Sequence, residues 1–264
     1  MLNDSWLPDL MLVFRYSFDP PQMTAASVLA SLGTAAGIAM ALSPLPTMRS
    51  IVHSKSVGEF SVFPYIATLC QCALWISYAG ATPGKTSLIP VNALVAALEL
   101  AYCIAFVIYA NNELHTTLKT MMYPTVITGL AILVSFLSSS PSKFLGVFAV
   151  LANIVMYAAP LTVVRTVIET RSVKYMPLLL SVVGTISSVI WTSWALVARD
   201  QFVLIPNVLG FVLGCIQLAV YYKYKENDSL DIVLPIHQQV VTGVPVDTSE
   251  ASPAETAGLI NAAN

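Results

Sequence analysis

The sequence predicts an all-α integral membrane protein whose seven transmembrane helices are arranged as three, one and three. Three observations predict this fold: few charged residues, seven separate apolar windows, and an internal repeat that restarts after four windows. Of the 264 residues, 56% are hydrophobic and only 10% are charged, whereas soluble domains carry about 25% charged residues. So few charges could not cover a water-soluble protein of this size, and we expect a lipid bilayer around it.

The composition also excludes several classes of function. The formal net charge is −2 and the sequence has no basic runs, so we expect no nucleic-acid partner. We find no nucleophile–base set, pair of catalytic acids or metal-ligating cluster, and therefore expect neither an enzyme nor a cofactor. All four cysteines lie inside apolar windows, where small buried side chains are the simplest interpretation; they are Cys70, Cys72, Cys103 and Cys215.

Each predicted helix is an apolar window of roughly 20 residues, the length that crosses a bilayer. The windows cover about residues 24–47, 62–82, 88–110, 120–138, 144–167, 177–198 and 202–222. Residues 1–23 precede them as an N-terminal segment on the extracellular or lumenal side. The polar composition of residues 225–264 predicts a disordered cytosolic tail.

Landmark residues recur at a separation of 116 positions, which indicates an internal repeat. The pairs are Pro44 and Pro160, Arg49 and Arg165, Ser56 and Ser172, Trp75 and Trp191, and, one position closer, Asn92 and Asn207. The separation covers four windows, so each repeat has three helices (24–110 and 141–224), and residues 111–140 hold a linker helix. Since the linker restores the direction that three helices reverse, we expect two parallel triple-helix bundles, related by a pseudo-two-fold axis along the membrane normal.

The basic residues predict the orientation, because cytoplasmic loops carry an excess of Lys and Arg. With the N-terminus outside, eight basic residues face the cytosol and four face outward. We therefore expect a cytosolic C-terminus. Of the two Asn-X-Ser sequons, at Asn3 and Asn227, only Asn3 is then open to glycosylation. We expect a plasma-membrane protein, with a vacuolar or other endomembrane location and a homo-oligomer left open.

Motifs in both halves resemble those of the SWEET family of bidirectional sugar transporters. In the first half they are Leu45-Pro46-Thr47, KSVGEFS at 55–61 and Cys72-Ala73-Leu74-Trp75. In the second half they are AAPLT at 158–162, RSVKYMP at 171–177 and RDQFVLIPN at 199–207. The resemblance covers residues 24–224 and implies a facilitative sugar carrier that works by alternating access. Parallel repeats with a substrate site near the midplane are known from transporters, SWEETs among them.

The resemblance also implies roles for single residues. Asn92 and Asn207 would bind the sugar between the aromatic walls Trp75 and Trp191. Four prolines would act as gating points: Pro44, Pro64, Pro160 and Pro177. The outer gate would be formed by Tyr78 and Asp200.

Four further positions would face the pocket and set its volume: Met40, Gln71, Met156 and Ser187. Two methionines and a glutamine fill much of a pocket, so we expect a monosaccharide such as glucose. Sucrose is the alternative substrate within the same family. A second alternative is that the methionines are only core filler.

The chemistry of these residue types agrees with sugar binding. Asn offers a donor and an acceptor, and Trp offers a flat apolar surface. An amide facing lipid is costly, so a midplane Asn normally faces protein or a cavity. The alternative is that Asn92 and Asn207 only bond neighbouring helices. Prolines remove a helix hydrogen bond and kink the helix, which suits a gate, although membrane helices tolerate proline for other reasons.

Glu99 is the one ionisable residue well inside a window and allows a proton-coupled alternative. It has no His or Lys partner in the windows, and Gly214 stands at the equivalent position of the second repeat, so we favour uniport. One competing function is a proton-coupled amino-acid carrier of the PQ-loop type, although Pro21-Gln22 precedes the first window. The other is a seven-helix receptor, which needs no such repeat.

Overall fold

The computed structural model of the chain describes residues 24–174 and 176–242. This part of the chain is helical, without strands, and has nine α-helices: α1 Ala25–Ala41, α2 Leu45–Ser54, α3 Phe63–Ala81, α4 Ile89–Tyr109, α5 Leu114–Leu137, α6 Pro141–Met156, α7 Ala158–Thr170, α8 Leu178–Ala198 and α9 Gln201–Thr242. Short 3-10 turns, Thr86–Leu88 and Asn111–Glu113, lead into α4 and α5. The all-α prediction is confirmed.

Seven helical segments cross the molecule. Six are long and apolar enough to span a membrane: Ala25–Ser54, Thr86–Tyr109, Asn111–Leu137, Pro141–Thr170, Leu178–Ala198 and Gln201–Lys225. The seventh is α3, with 19 residues. It packs against α4, α5 and α6 and buries the polar side chains Gln71 and Tyr78.

The first and fifth segments are each interrupted near a proline. Pro44 directly precedes α2, and Pro160 lies in the first turn of α7. A proline in the first turn loses no helix hydrogen bond, because that N–H has no partner there. Both second halves end on a residue in the left-handed region, Lys55 at φ 52° and Arg171 at φ 55°. These residues lie 116 positions apart, so the repeat extends to the backbone conformation.

The two repeats pack in equivalent ways. In the first, α4 contacts α1, α2 and α3, and in the second, α9 contacts α6, α7 and α8. Between the repeats, α1 packs against α8 and α3 packs against α6. The linker α5 lies against α3, α4 and α6 and leaves most of its surface to lipid. This is the predicted arrangement of two parallel triple-helix bundles joined by a linker helix.

The last helix differs from the prediction. We placed the end of the second repeat at residue 224 and a disordered tail from residue 225, but the backbone stays helical to Thr242. Lengthening an existing helix avoids the unfavourable nucleation step, so polar residues can follow the membrane segment without breaking it. Residues 1–23, which include Asn3, and residues 243–264 lie outside the described residues.

Candidate functional site

A cavity of about 170 Å³ lies between the two repeats. Its walls come from α3, α4, α6, α8 and α9 and the turn before α4: Trp75, Leu88, Val91, Asn92, Asn153, Trp191, Val203 and Asn207. The structure therefore brings the two asparagines and the two tryptophans that sequence analysis selected into one cavity. A third amide, that of Asn153, joins them.

The two asparagines are held in the same way. Nδ2 of Asn92 donates to the carbonyl oxygen of Leu88 at 2.8 Å, and Nδ2 of Asn207 donates to that of Val203 at 2.7 Å. Each bond reaches a carbonyl four residues earlier, in the same helix or in the turn that leads into it, so neither amide joins two separate helices. Among the described residues no donor reaches either side-chain oxygen. Each amide thus keeps an acceptor and one N–H for a ligand.

The two tryptophans are also equivalent. Trp75 meets the ring of Tyr78 edge-on at 5.6 Å between centroids, and Trp191 meets that of Trp194 at 5.8 Å. Trp191 also lies directly on Gly33 of α1, where an added Cβ atom would stand 2.6 Å from its Cε2 atom. Only glycine leaves room for the indole at this crossing between the repeats.

One end of the cavity is closed by a hydrogen bond between the repeats. The Tyr78 hydroxyl lies 3.0 Å from Oδ1 and 2.9 Å from Oδ2 of Asp200, to which it donates. Nζ of Lys85 lies 3.4 Å from Oδ2 of Asp200 and 5.6 Å from the centroid of the Trp194 ring. Asp200 also accepts the backbone N–H of Val203 at 3.1 Å, which caps the first turn of α9.

Lys85 and Asn153 were not predicted from the sequence as site residues. Lys85 was visible as a single cation in the short turn between the second and third windows. Asn153 was visible as an amide inside an apolar window, where it is costly to face lipid. Their repeat equivalents are Gln201 and Gly37, so a search for paired residues passes over both.

The buried core joins the repeats at the Asp200 end and not at the other. The shared cluster draws on both repeats: Ala30, Leu74, Trp75, Tyr78, Ala79, Leu88, Leu145, Ala149, Trp194, Ala195 and Val203. At the opposite end each repeat has a cluster of its own, one around Ile51 and Phe106 and one around Val167 and Met176. The described conformation is therefore sealed on the side of Asp200.

The four prolines lie at helix starts, away from the Asp200 end. Pro64 is the second residue of α3, and Pro177 directly precedes α8. Pro160 and Pro177 line a second cavity inside the second repeat. Pro44 lies at the interruption between α1 and α2.

The four volume-setting positions are not among the residues that line the cavity between the repeats. Met40 lines the second cavity instead, and Met156 is the last residue of α6. Gln71 and Ser187 are buried. Nε2 of Gln71 donates to the carbonyl oxygen of Ala149 at 3.0 Å, so this amide connects α3 with α6. The pocket-setting role of all four stays a prediction.

Glu99 is 5% exposed, and its Oε2 atom has no hydrogen-bond partner among the described residues. It is not one of the residues that line the cavity between the repeats. Around that cavity, the described lining residues are all uncharged.

A family model described as "Sugar efflux transporter for intercellular exchange" matches the chain twice, at residues 27–114 and 143–229. The chain belongs to this family. The two matches fall on the two repeats and leave most of α5 between them, as expected for three, one and three helices. The resemblance stated above on the motifs is confirmed.

Individual members of the family agree with this assignment. The chain is 34% identical over 208 residues to the bidirectional sugar transporter SWEET5 of Arabidopsis thaliana, covering 76% of this chain and 87% of that protein. It is 33% identical over 248 residues to SWEET15 of Oryza sativa subsp. japonica, covering 87% and 78%. A solved structure of a eukaryotic SWEET transporter matches with a TM-score of 0.69 and 29% identity, covering 77% of this chain and all of that one.

Proposed function

We propose that the chain is a bidirectional sugar uniporter that works by alternating access and carries a monosaccharide such as glucose. The observation that carries the proposal is the single cavity in which both repeats place an asparagine and a tryptophan. The relatives named above are described as bidirectional sugar transporters. We infer the same activity for this chain.

The binding chemistry follows from the free groups of the cavity. Sugar hydroxyls both donate and accept, and they match the oxygen and the remaining N–H of Asn92 and Asn207. The C–H faces of the ring match the indoles of Trp75 and Trp191. A disaccharide is much larger than a monosaccharide, and the cavity is small, at about 170 Å³. This size supports a monosaccharide over sucrose.

The transport cycle requires the two ends of the cavity to open in turn. The Asp200 end opens when the hydrogen bonds from Tyr78 and the contact with Lys85 break. The other end closes when the interrupted first and fifth segments bend at Pro44 and Pro160. Since no charged side chain among the described residues lines the cavity, we propose that sugar moves without a coupled proton.

The orientation is part of the proposal. The excess of basic residues supports an orientation with the Asp200 end outside and the interrupted ends of α1 and α6 toward the cytosol. We propose the plasma membrane as the location. Glycosylation tests the orientation: Asn3→Gln should remove an endoglycosidase-sensitive band shift, and Asn227→Gln should leave the shift in place. A shift that depends on Asn227 would reverse the assignment.

Uptake of labelled glucose in cells that lack hexose uptake tests the function. Wild type should take up glucose in the presence of a proton uncoupler. The uptake rates of Asn92→Ala and of Asn207→Ala should each be at least tenfold lower than that of wild type. Asn112→Ala is the matched control, because Asn112 is exposed in the turn before α5.

Three results would contradict parts of this proposal. Loss of uptake with the uncoupler would favour a proton-coupled carrier and direct attention to Glu99. Uptake of sucrose in place of glucose would overturn the monosaccharide assignment. Equal losses in Asn92→Ala and Asn112→Ala at matched surface expression would remove the cavity from the mechanism.

A further inference from the structure

The second cavity is larger than the one between the repeats, at about 310 Å³. It lies inside the second repeat, between α7, α8 and α9, and Met40 of α1 closes one side. Its lining is mainly apolar, and no charged side chain is among the described lining residues. This volume is ordinary for a ligand-binding cavity in a protein.

The equivalent space in the first repeat is filled by aromatic rings. Ser181 and Gln217, which line the second cavity, correspond to Tyr65 and Tyr102, at separations of 116 and 115. The two tyrosine rings lie 5.7 Å apart edge to face, and the ring of Phe106 lies 5.2 Å from that of Tyr65. The second repeat therefore has a cavity where the first repeat has two phenol rings.

The polar groups around the cavity are few and mostly satisfied. Thr185 donates to the carbonyl oxygen of Ser181 at 2.6 Å, and Ser188 donates to that of Gly184 at 3.0 Å. The Tyr157 hydroxyl donates to the carbonyl oxygen of Pro206. The side-chain amide of Gln217 makes no hydrogen bond to another described residue. A sugar would leave most of its hydroxyls unpaired here, which is costly.

We propose that this cavity binds an uncharged aromatic molecule of two rings that carries a single hydroxyl group. Two rings match the volume, since an apolar cavity of about 150 Å³ holds one benzene molecule. They also match the two rings that the first repeat places in the equivalent space. The single hydroxyl matches the amide of Gln217. The site has no lining residue in common with the cavity between the repeats, and its existence does not depend on sugar transport.

Binding of 4-phenylphenol to the full chain in lipid nanodiscs tests the proposal directly. Equilibrium dialysis should detect saturable binding of one molecule per chain, above the non-saturable partition into nanodiscs without protein. Because the measurement needs no sugar, its failure and a failure of the transport proposal are distinguishable.

Variants that introduce the tyrosines of the first repeat at the equivalent positions of the second test where the molecule binds. Ser181→Tyr and Gln217→Tyr each place a ring in the cavity and should weaken binding at least tenfold. The matched control is Ile186→Tyr, which adds the same ring to the lipid-facing side of α8, where Ile186 is 52% exposed. Gly184→Ala is a milder variant, since its Cβ atom would meet only Met40 Cε at 3.7 Å. It should fold normally and weaken binding a few-fold.

Each remaining result would overturn the proposal. Absence of saturable binding would show that only lipid or water occupies the cavity. Equal affinity in wild type, Gly184→Ala and the two tyrosine variants would place the probe elsewhere. A co-purifying acyl lipid that 4-phenylphenol cannot displace, and that Gln217→Tyr lacks, would assign the cavity to a lipid chain instead.

Discussion

At the scale of single residues, the shape of the cavity between the repeats depends on how closely side chains of one repeat approach the other. Trp191 of the second repeat lies on Gly33 of the first, with no space for a methyl group between them. Gly33 thus positions the Trp191 wall of the cavity, although Gly33 itself does not line the cavity. The indole cannot shift without changing the distance between the two aromatic walls.

We predict that Gly33→Ala raises the KM for glucose uptake at least fivefold. The added Cβ atom would lie 2.6 Å from Trp191, and overpacking of this kind typically destabilises by about 1–3 kcal/mol. The concentration dependence of uptake measures the effect. Gly129→Ala in α5 is the matched control, because its Cβ atom would meet nothing within 4 Å. Unchanged KM in Gly33→Ala at normal expression would contradict the positioning role.

The cavity residues that occur in both repeats were predictable from the sequence, whereas those that occur in only one repeat were not. The repeat spacing identifies Asn92 and Asn207 as a pair, and the structure places both in one cavity. Asn153 and Lys85 have no such partner, and their positions depend on how the repeats pack. Contacts between repeats are absent from any pattern along the chain. They become visible only when the two bundles are assembled.

At the scale of helices, apolar length predicted the number of spans but not where they break. We predicted residues 144–167 as one helix, whereas α6 ends at Met156 and α7 begins at Ala158. An interruption of one residue leaves the apolar pattern intact, so hydropathy cannot detect it. Pro160 gives the physical reason, because without an N–H it cannot donate to the carbonyl of Met156, four residues earlier.

We predict that Pro160→Ala lowers the maximal rate of sugar uptake at least fivefold and changes KM much less. Alanine restores the N–H that proline lacks, so that α6 can continue into α7 as one straight helix. This straight helix would then resist the bending by which, in the proposed cycle, this end of the cavity closes. Pro124→Ala is the matched control, since Pro124 lies inside the linker helix α5. Equal loss of rate in both variants would argue against a special role for the interruption.

At the scale of the whole molecule, the two ends of the carrier differ although the repeats are equivalent. The symmetry axis runs along the membrane normal, so it relates the repeats to each other and leaves the two ends independent. The core shared by both repeats lies at the Asp200 end, and separate clusters lie at the other end. The sequence predicted the symmetric fold, but which end is closed depends on packing that no repeat pattern contains.

We predict that Tyr78→Phe shifts the carrier toward states open at the Asp200 end. The substitution removes the hydroxyl that donates to Asp200, and hydrogen bonds to charged groups are worth about 1.5–3 kcal/mol. The variant Leu88→Cys places a thiol in the wall of the cavity. When Tyr78→Phe is added to it, this thiol should react with an impermeant maleimide, applied to intact cells, at least about tenfold faster than it does with Tyr78 in place. Tyr123→Phe is the control, because Tyr123 is 60% exposed on α5.

The labelling rate separates this effect from simple loss of folding. A misfolded variant would lose surface expression and sugar-dependent protection of Leu88→Cys together. A variant that only shifts the population of states retains its surface expression and its protection by sugar. Added glucose should therefore still slow the labelling. Equal labelling rates in Tyr78→Phe, Tyr123→Phe and the unsubstituted carrier would mean that the shared apolar core alone keeps this end closed. The hydrogen bond to Asp200 would then be a consequence of closure and not its cause.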